Sequence, residues 1–265
     1  MGAGDQVDIP AYAGLLWKGD QGTRPGPKRS LDMHALARAG MRLADAAGLD
    51  AVSMRTVSAD MGMSSMALYR YVKSKQELLL MMVDEACGPP PATRAAPGQG
   101  WREGLVAWAH ASRQRLRAHP WMLAVPMAEP AILPYQVQWT EWGLDALAAT
   151  PLTEPAKLSA LLLVNVYVRG QTQLSLGFEA GAEASAHPGA DAGLLYGQRL
   201  LALADPDRYP RITAAMKADP AASYQSDFGT DEFNFGLSTV LDGIQALIAR
   251  RGSGEHDGRG DADGA

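Results

Sequence analysis

The chain has 265 residues, 47 % apolar and 20 % charged, with a net charge of −5. That is the make-up of a soluble globular protein of one large or two small domains. The single Cys87 excludes a disulfide framework and a Cys-rich zinc site. No run reaches the ~18 apolar residues that a membrane span needs; the longest, Ala160 to Val168, contains Asn165. With Asp5 and Asp8 early, the N-terminus lacks the basic flank and apolar core of a signal peptide. A cytoplasmic protein with no membrane partner is expected.

Charge is unevenly spread. Lys18 to Lys75 holds ten Lys/Arg against five acids, so this stretch is +5 and the remainder −10. A basic module on an acidic body suits docking of one end on a polyanion.

Residues 1–29 form a Gly/Pro-rich lead without periodicity, read as a flexible basic arm. Ser30 is the expected N-cap of a first helix. Met33, Leu36, Ala37, Gly40, Met41 and Ala44 make its apolar face, and Gly48 stops it. A second short helix runs from Ser53 to Met61 and ends at Gly62. A third opens at Ser64 or Ser65 and reaches about Val72. Ser74 and Glu77 make a capping box for a fourth, through Leu78, Leu79, Met82 and Ala86. Residues 30–87 are thus one module, and Gly88-Pro89-Pro90-Pro91 begins a linker over 88–100.

Helical patterns then resume across residues 101–250. They cover Trp101 to His119, Tyr135 to Ala149, and Thr153 to about Phe178. Two more run from Ala190 to Ala204 and from Pro206 to Ala218, and a last one is capped by Thr230. Residues 251–265 are a polar Gly/Asp tail, expected to be disordered. No strand pattern is present, so the fold class is all-α: a helix-turn-helix bundle followed by a larger helical domain.

Two short helices joined by a Gly-containing turn are the spacing of a helix-turn-helix. The residues are more specific. Gly48-Leu49-Asp50-Ala51-Val52-Ser53-Met54-Arg55-Thr56-Val57, then Met61-Gly62-Met63-Ser64, then Leu68-Tyr69-Arg70-Tyr71-Val72-Lys73-Ser74-Lys75-Gln76-Glu77-Leu78-Leu79 closely resembles the TetR family of bacterial repressors. Leu16-Trp17 before a basic Pro-Gly-Pro arm, and Phe233 to Leu237, look like one subgroup. Ser58 departs from the family's usual Ala, and Ala67 from its common Thr or Ser.

The resemblance implies a double-stranded palindromic operator, a small-molecule effector and a homodimer as partners. In such a motif the second helix lies in the major groove. Ser53 can offer its hydroxyl and N–H to a phosphate, beside Met54. Arg55 can pair bidentately with a guanine edge. Ser64, Ser65, Met66 and Ala67 open the recognition helix; Ser65 can bond a base, and Met66 and Ala67 can touch a thymine methyl. Tyr69 is expected on a phosphate, with Tyr71 further along the groove wall. Lys75 matches the family's phosphate-contacting lysine, and Lys28 and Arg29 can reach a minor groove.

The larger domain is expected to bind a mainly hydrophobic effector near Trp121, Met122, Trp139, Trp142, Tyr167, Gln171 and Phe178. Its push would travel through the fourth helix to a hinge at Gly88. The apolar arc of the last helix, with Phe233, Leu237, Val240, Leu241, Ile244 and Leu247, is expected to dimerise with Leu194 and Leu195.

Other readings are weaker. The five histidines make no metal spacing, and no cofactor is implied. No nucleophile elbow is present, and Gly98-Gln99-Gly100 with Gly104 has one residue too many for a dinucleotide fingerprint. A helical enzyme is disfavoured. An architectural DNA-binding protein would need basic surface where residues 101–250 are acidic.

Overall fold

The computed structural model describes residues 9–19, 32–92, 100–126, 132–183, 192–217 and 228–252, and every regular element among them is helical. The chain divides into two compact units, Met1–Ala146 and Leu147–Ala265. This boundary does not fall in the glycine–proline linker expected from the sequence. The helices on either side of that linker belong to the same unit.

The first unit holds α1 (Ala11–Gly19), α2 (Met33–Ala47), α3 (Met54–Asp60), α4 (Ser65–Leu68), α5 (Lys75–Cys87) and α6 (Trp101–Ala118), and most of α7 (Pro134–Leu147). Single 3₁₀ turns lie at Leu49–Ala51 and Pro120–Ala124. The helix α2 packs along α5. His34 meets Glu85 at one end, while the Lys75 ammonium reaches the Leu49 carbonyl at the other, so the pair is antiparallel. Leu36, Ala37, Val52, Val57, Leu68, Val72, Leu78 and Met82 are fully buried and form the core of this bundle.

Local chemistry sets each boundary. Ser53 accepts from Thr56 N and Thr56 returns the bond to Ser53 N, a capping box that the sequence reading missed. Ser74 accepts from Glu77 N as expected. Glu77, however, returns its carboxylate to Lys73 N, one residue ahead of the cap. The cap of α2 is Asp32, which accepts from His34 N; the expected cap, Ser30, lies outside the described residues. Gly62, at φ 65°, makes the turn between α3 and α4 in a region that side-chain-bearing residues avoid. The recognition helix is shorter than its sequence pattern. It stops at Leu68, because Val72 turns inward to the core and Lys73 Nζ caps the Tyr69 and Arg70 carbonyls.

The lead segment contains a helix where the sequence reading saw none. In α1, Tyr12, Ala13 and Leu16 are buried, and Trp17 Nε1 donates to the Ile132 carbonyl at 2.8 Å. A nine-residue helix is too short to stand alone in water, so tertiary packing makes it.

The second unit holds α8 (Glu154–Glu183), α9 (Ala192–Leu203), α10 (Pro210–Lys217) and α11 (Phe228–Gly252). The long helix α8 packs on α11 and on α9, and α9 packs on α10. Two α8 side chains bind the backbone of α11. Tyr167 Oη donates toward the Glu232 and Phe233 carbonyls, and Gln171 Nε2 donates to the Gly229 carbonyl at 3.1 Å. Gly236 allows this approach, since a Cβ there would strike the Tyr167 hydroxyl. The last helix starts at Phe228, two residues before its expected cap, and α10 starts at Pro210 rather than Pro206.

Candidate DNA-binding site

The site is one face of α3, α4 and the start of α5. Met54, Val57 and Ser58 turn inward from α3, while Arg55 and Thr56 stay exposed. In α4, Leu68 is the buried anchor, Met66 is 80 % exposed, and Ser65 and Ala67 are half-buried. Ser64 Oγ accepts from Ala67 N at 3.3 Å and so caps α4. Tyr69, Arg70 and Lys75 are exposed, and Tyr71 is half-buried. Arg42 of α2 pairs with Asp60 at the end of α3 at 2.6 Å.

Most of the expected DNA residues are exposed or half-buried on α3, α4 and the start of α5, with two corrections. Met54 is 7 % exposed and packs in the bundle, so it brings only its backbone to the site. The Ser65 hydroxyl is already bonded, to Ser58 Oγ at 2.9 Å. Lys28 and Arg29 lie outside the described residues. The next described residue, Asp32, pairs with Arg38, which also holds Glu85 near the end of α5 remote from Lys75. Arg70 and Lys73 complete the basic character of the face. The local charge excess was their only sign in the sequence.

The expected effector residues separate between the units. Trp121, Met122, Trp139 and Trp142 belong to the first, and Tyr167, Gln171 and Phe178 to the second. Those in the first unit are buried, and three neighbouring indole N–H groups are committed. Trp108 Nε1 donates to the Trp139 carbonyl, Trp139 Nε1 to the Gly88 carbonyl, and Trp121 Nε1 to Asp45 at 2.6 Å. Trp139 packs edge-on against both Trp108 and Trp142. The Gly88 carbonyl, at the expected hinge, thus accepts from the Trp139 indole. In the second unit, Tyr167 and Gln171 are engaged with α11, and Phe178 stacks on Tyr196 at 6.3 Å.

A buried acid links α5 to α7. Asp84 accepts from Gln136 N at 2.9 Å and from Tyr135 N at 3.4 Å, capping the first turn of α7 from another helix. Burial pushes its carboxyl up to about 6, against the pull of those two amides and of His34. The same helix end carries Glu85, which holds both His34 and Arg38.

The expected dimer residues need the largest correction. Phe233, Leu237, Leu241 and Ile244 are at most 3 % exposed within a single chain, so α11 spends them inside the protomer. Val240 and Leu247 are half-buried, and the side chains of Leu194 and Leu195 lie outside those described. The uncovered apolar face is on α8 instead. Leu158, Leu162, Leu163, Val166 and Leu174 are each 51–60 % exposed. Ser159, Gly170, Gln173 and Gly177 lie among them, and half-buried Arg169 falls on the same side of the helix, three residues after Val166.

A capped short helix, a glycine turn and a second short helix with an exposed, partly basic face define a helix-turn-helix transcriptional regulator. The model for bacterial regulatory proteins of the tetR family matches residues 36–82, and that for the tetracyclin repressor-like C-terminal domain matches 94–248. The chain belongs to this family.

It is 34 % identical to the HTH-type transcriptional repressor DrrR1 of Streptomyces coeruleorubidus, over 92 % of this chain and 88 % of that one. A solved Streptomyces coelicolor A3(2) chain, described as a possible TetR family transcriptional regulator, superposes with a TM-score of 0.59 at 26 % identity. It covers 82 % of this chain and 100 % of its own. ActR of Streptomyces coelicolor, solved in complex with actinorhodin, superposes with a TM-score of 0.67 at 18 % identity, over 83 % of this chain and 98 % of that one.

Proposed function

We propose that this regulator is a homodimeric repressor that binds a palindromic operator and is released by a small, largely apolar effector. The observation that carries the DNA reading is the exposure of Arg55, Met66, Tyr69 and Lys75 over the buried core of Val57, Leu68, Val72 and Leu78. On it, Arg55 reads a guanine edge, and Met66 and Ala67 touch thymine methyls. Ser53, Tyr69 and Lys75 hold phosphates and fix the register. Met54 supports the site from below. The repressor name of DrrR1 supports the sign of regulation, and the actinorhodin complex of ActR supports an effector.

The second copy docks on the outer face of α8. A run of half-exposed leucines and valine is costly in water and fits a copy of itself across a twofold axis. The test is selection from a random duplex DNA pool. Inverted repeats with half-sites about 34–36 Å apart, or a multiple of that spacing, are expected. Failure to enrich a repeat sinks the palindromic reading. For any effector found by thermal shift, operator DNA must weaken its binding by the factor that it weakens operator binding, typically 5–150-fold. Equal affinities with and without operator refute the coupling.

A further inference from the structure

We infer that Ser58 fixes the hydrogen-bond polarity of Ser65, so that the recognition helix favours an amine-bearing base, adenine or cytosine, where Ser65 faces the groove. This rests on the DNA-binding reading above.

Ser58 stands where the resembled family usually has alanine. It is 2 % exposed on the inner side of α3. Its Oγ lies 3.0 Å from the Arg55 carbonyl and 2.9 Å from Ser65 Oγ. A hydroxyl has one hydrogen and two lone pairs. The Arg55 carbonyl can only accept, so the Ser58 hydrogen is spent on it, the local back-bond that serines make to the preceding turn of a helix. In the Ser58–Ser65 contact Ser65 is then the donor. Its one hydrogen points inward, and only lone pairs remain for a ligand.

Ser65 is the first residue of α4. It is half-buried, next to Met66, the most exposed residue of the recognition helix. Ser64 is occupied in capping. In the major groove, adenine N6 and cytosine N4 donate, whereas guanine N7 and O6 and thymine O4 accept. A serine left with lone pairs matches the first two bases and sets acceptor against acceptor on the others. To read guanine or thymine it would have to give up the bond to Ser58. With alanine at 58, the hydroxyl at 65 would turn either way and the discrimination would vanish. The departure at position 58 thus acts on base choice from a residue that cannot touch DNA.

The test uses the full chain as wild type, Ser58→Ala, Ser65→Ala and the double variant. Each selects from a randomised duplex pool, and affinities follow on single-base-pair variants of the enriched site. Loss of one net hydrogen bond corresponds to roughly a three- to tenfold preference. The wild type should show it for adenine or cytosine at one position per half-site. Ser58→Ala should accept all four bases there within about twofold of each other, on that same scale. Ser65→Ala should lose the preference, and the double variant should match Ser65→Ala. Ser58→Ala that keeps the preference, or weakens all sites equally, overturns the inference and leaves a purely structural Ser58. So does a Ser65→Ala that changes no position. A wild type that enriches nothing overturns the DNA-binding reading itself, a distinct failure.

Discussion

Replacing Leu162 by aspartate should separate the dimer while leaving each protomer folded. Leu162 is 60 % exposed on α8. Full burial of a leucine side chain stabilises by about 1.5–3 kcal/mol. Covering the exposed share therefore contributes about 1–2 kcal/mol per copy, and twofold symmetry doubles this to about 2–4 kcal/mol. Leu162→Asp removes that contribution and sets two carboxylates near an apolar seam, so the dimer dissociation constant should rise at least about 30- to 700-fold.

Sedimentation velocity over a concentration series reads the change, with far-UV circular dichroism as the control for fold. The contrast is Leu241→Ala, at a position 1 % exposed inside the protomer. That variant should lose about 2–5 kcal/mol of folding stability and lower Tm without yielding folded monomers selectively. An unchanged dimer in Leu162→Asp, or folded monomers from Leu241→Ala, would refute the assignment of the interface to α8.

Arg55→Ala should cost about 1–3 kcal/mol of operator affinity and relax specificity at one position per half-site, whereas Lys75→Ala should weaken all sequences alike and reduce the salt slope by about one. Filter binding at several salt concentrations tells them apart, and identical specificity changes in both would break the division of roles. Asp84 has a folded pKa of about 6, above its ordinary 3.8. The folded state therefore holds the proton more tightly. The stabilisation is complete below about pH 4 and lost as pH rises through about 6, a swing of about 3 kcal/mol. Asp84→Asn, which keeps an acceptor for Gln136 N, should flatten the fall in urea-unfolding free energy between pH 4 and 6; an unaltered slope would show that Asp84 does not cause it.

The helix-turn-helix was legible because its determinants are local. Ser53 and Ser74 cap helices through atoms three residues away, and Gly62 turns the chain by its own backbone freedom. Which side chains of these short helices stay exposed was legible for the same reason. A face with Arg55, Met66 and Tyr69 exposed over buried Val57 and Leu68 follows from helical spacing alone. Met54 was misread because at the first turn of a seven-residue helix one step of about 100° separates core from surface, and sequence spacing fixes that step poorly.

What the sequence by itself determined is the class of protein: all-helical, basic at one end, with a capped recognition unit whose geometry depends on neighbours within a few residues. The tertiary structure decided everything that depends on which apolar face meets which. Periodicity marks α8 and α11 alike as amphipathic, and both need cover. Only packing consumes Phe233, Leu237 and Leu241 inside the protomer and leaves Leu158, Leu162 and Val166 outside. Only packing brings Trp139 to the Gly88 carbonyl and Asp84 to the start of α7. The bond between Ser58 and Ser65 spans seven residues and a turn, so it too exists only once α3 and α4 are set against each other. Hydrogen bonds within one turn are written in the local sequence; burial depends on partners remote along the chain, and the folded chain chooses them.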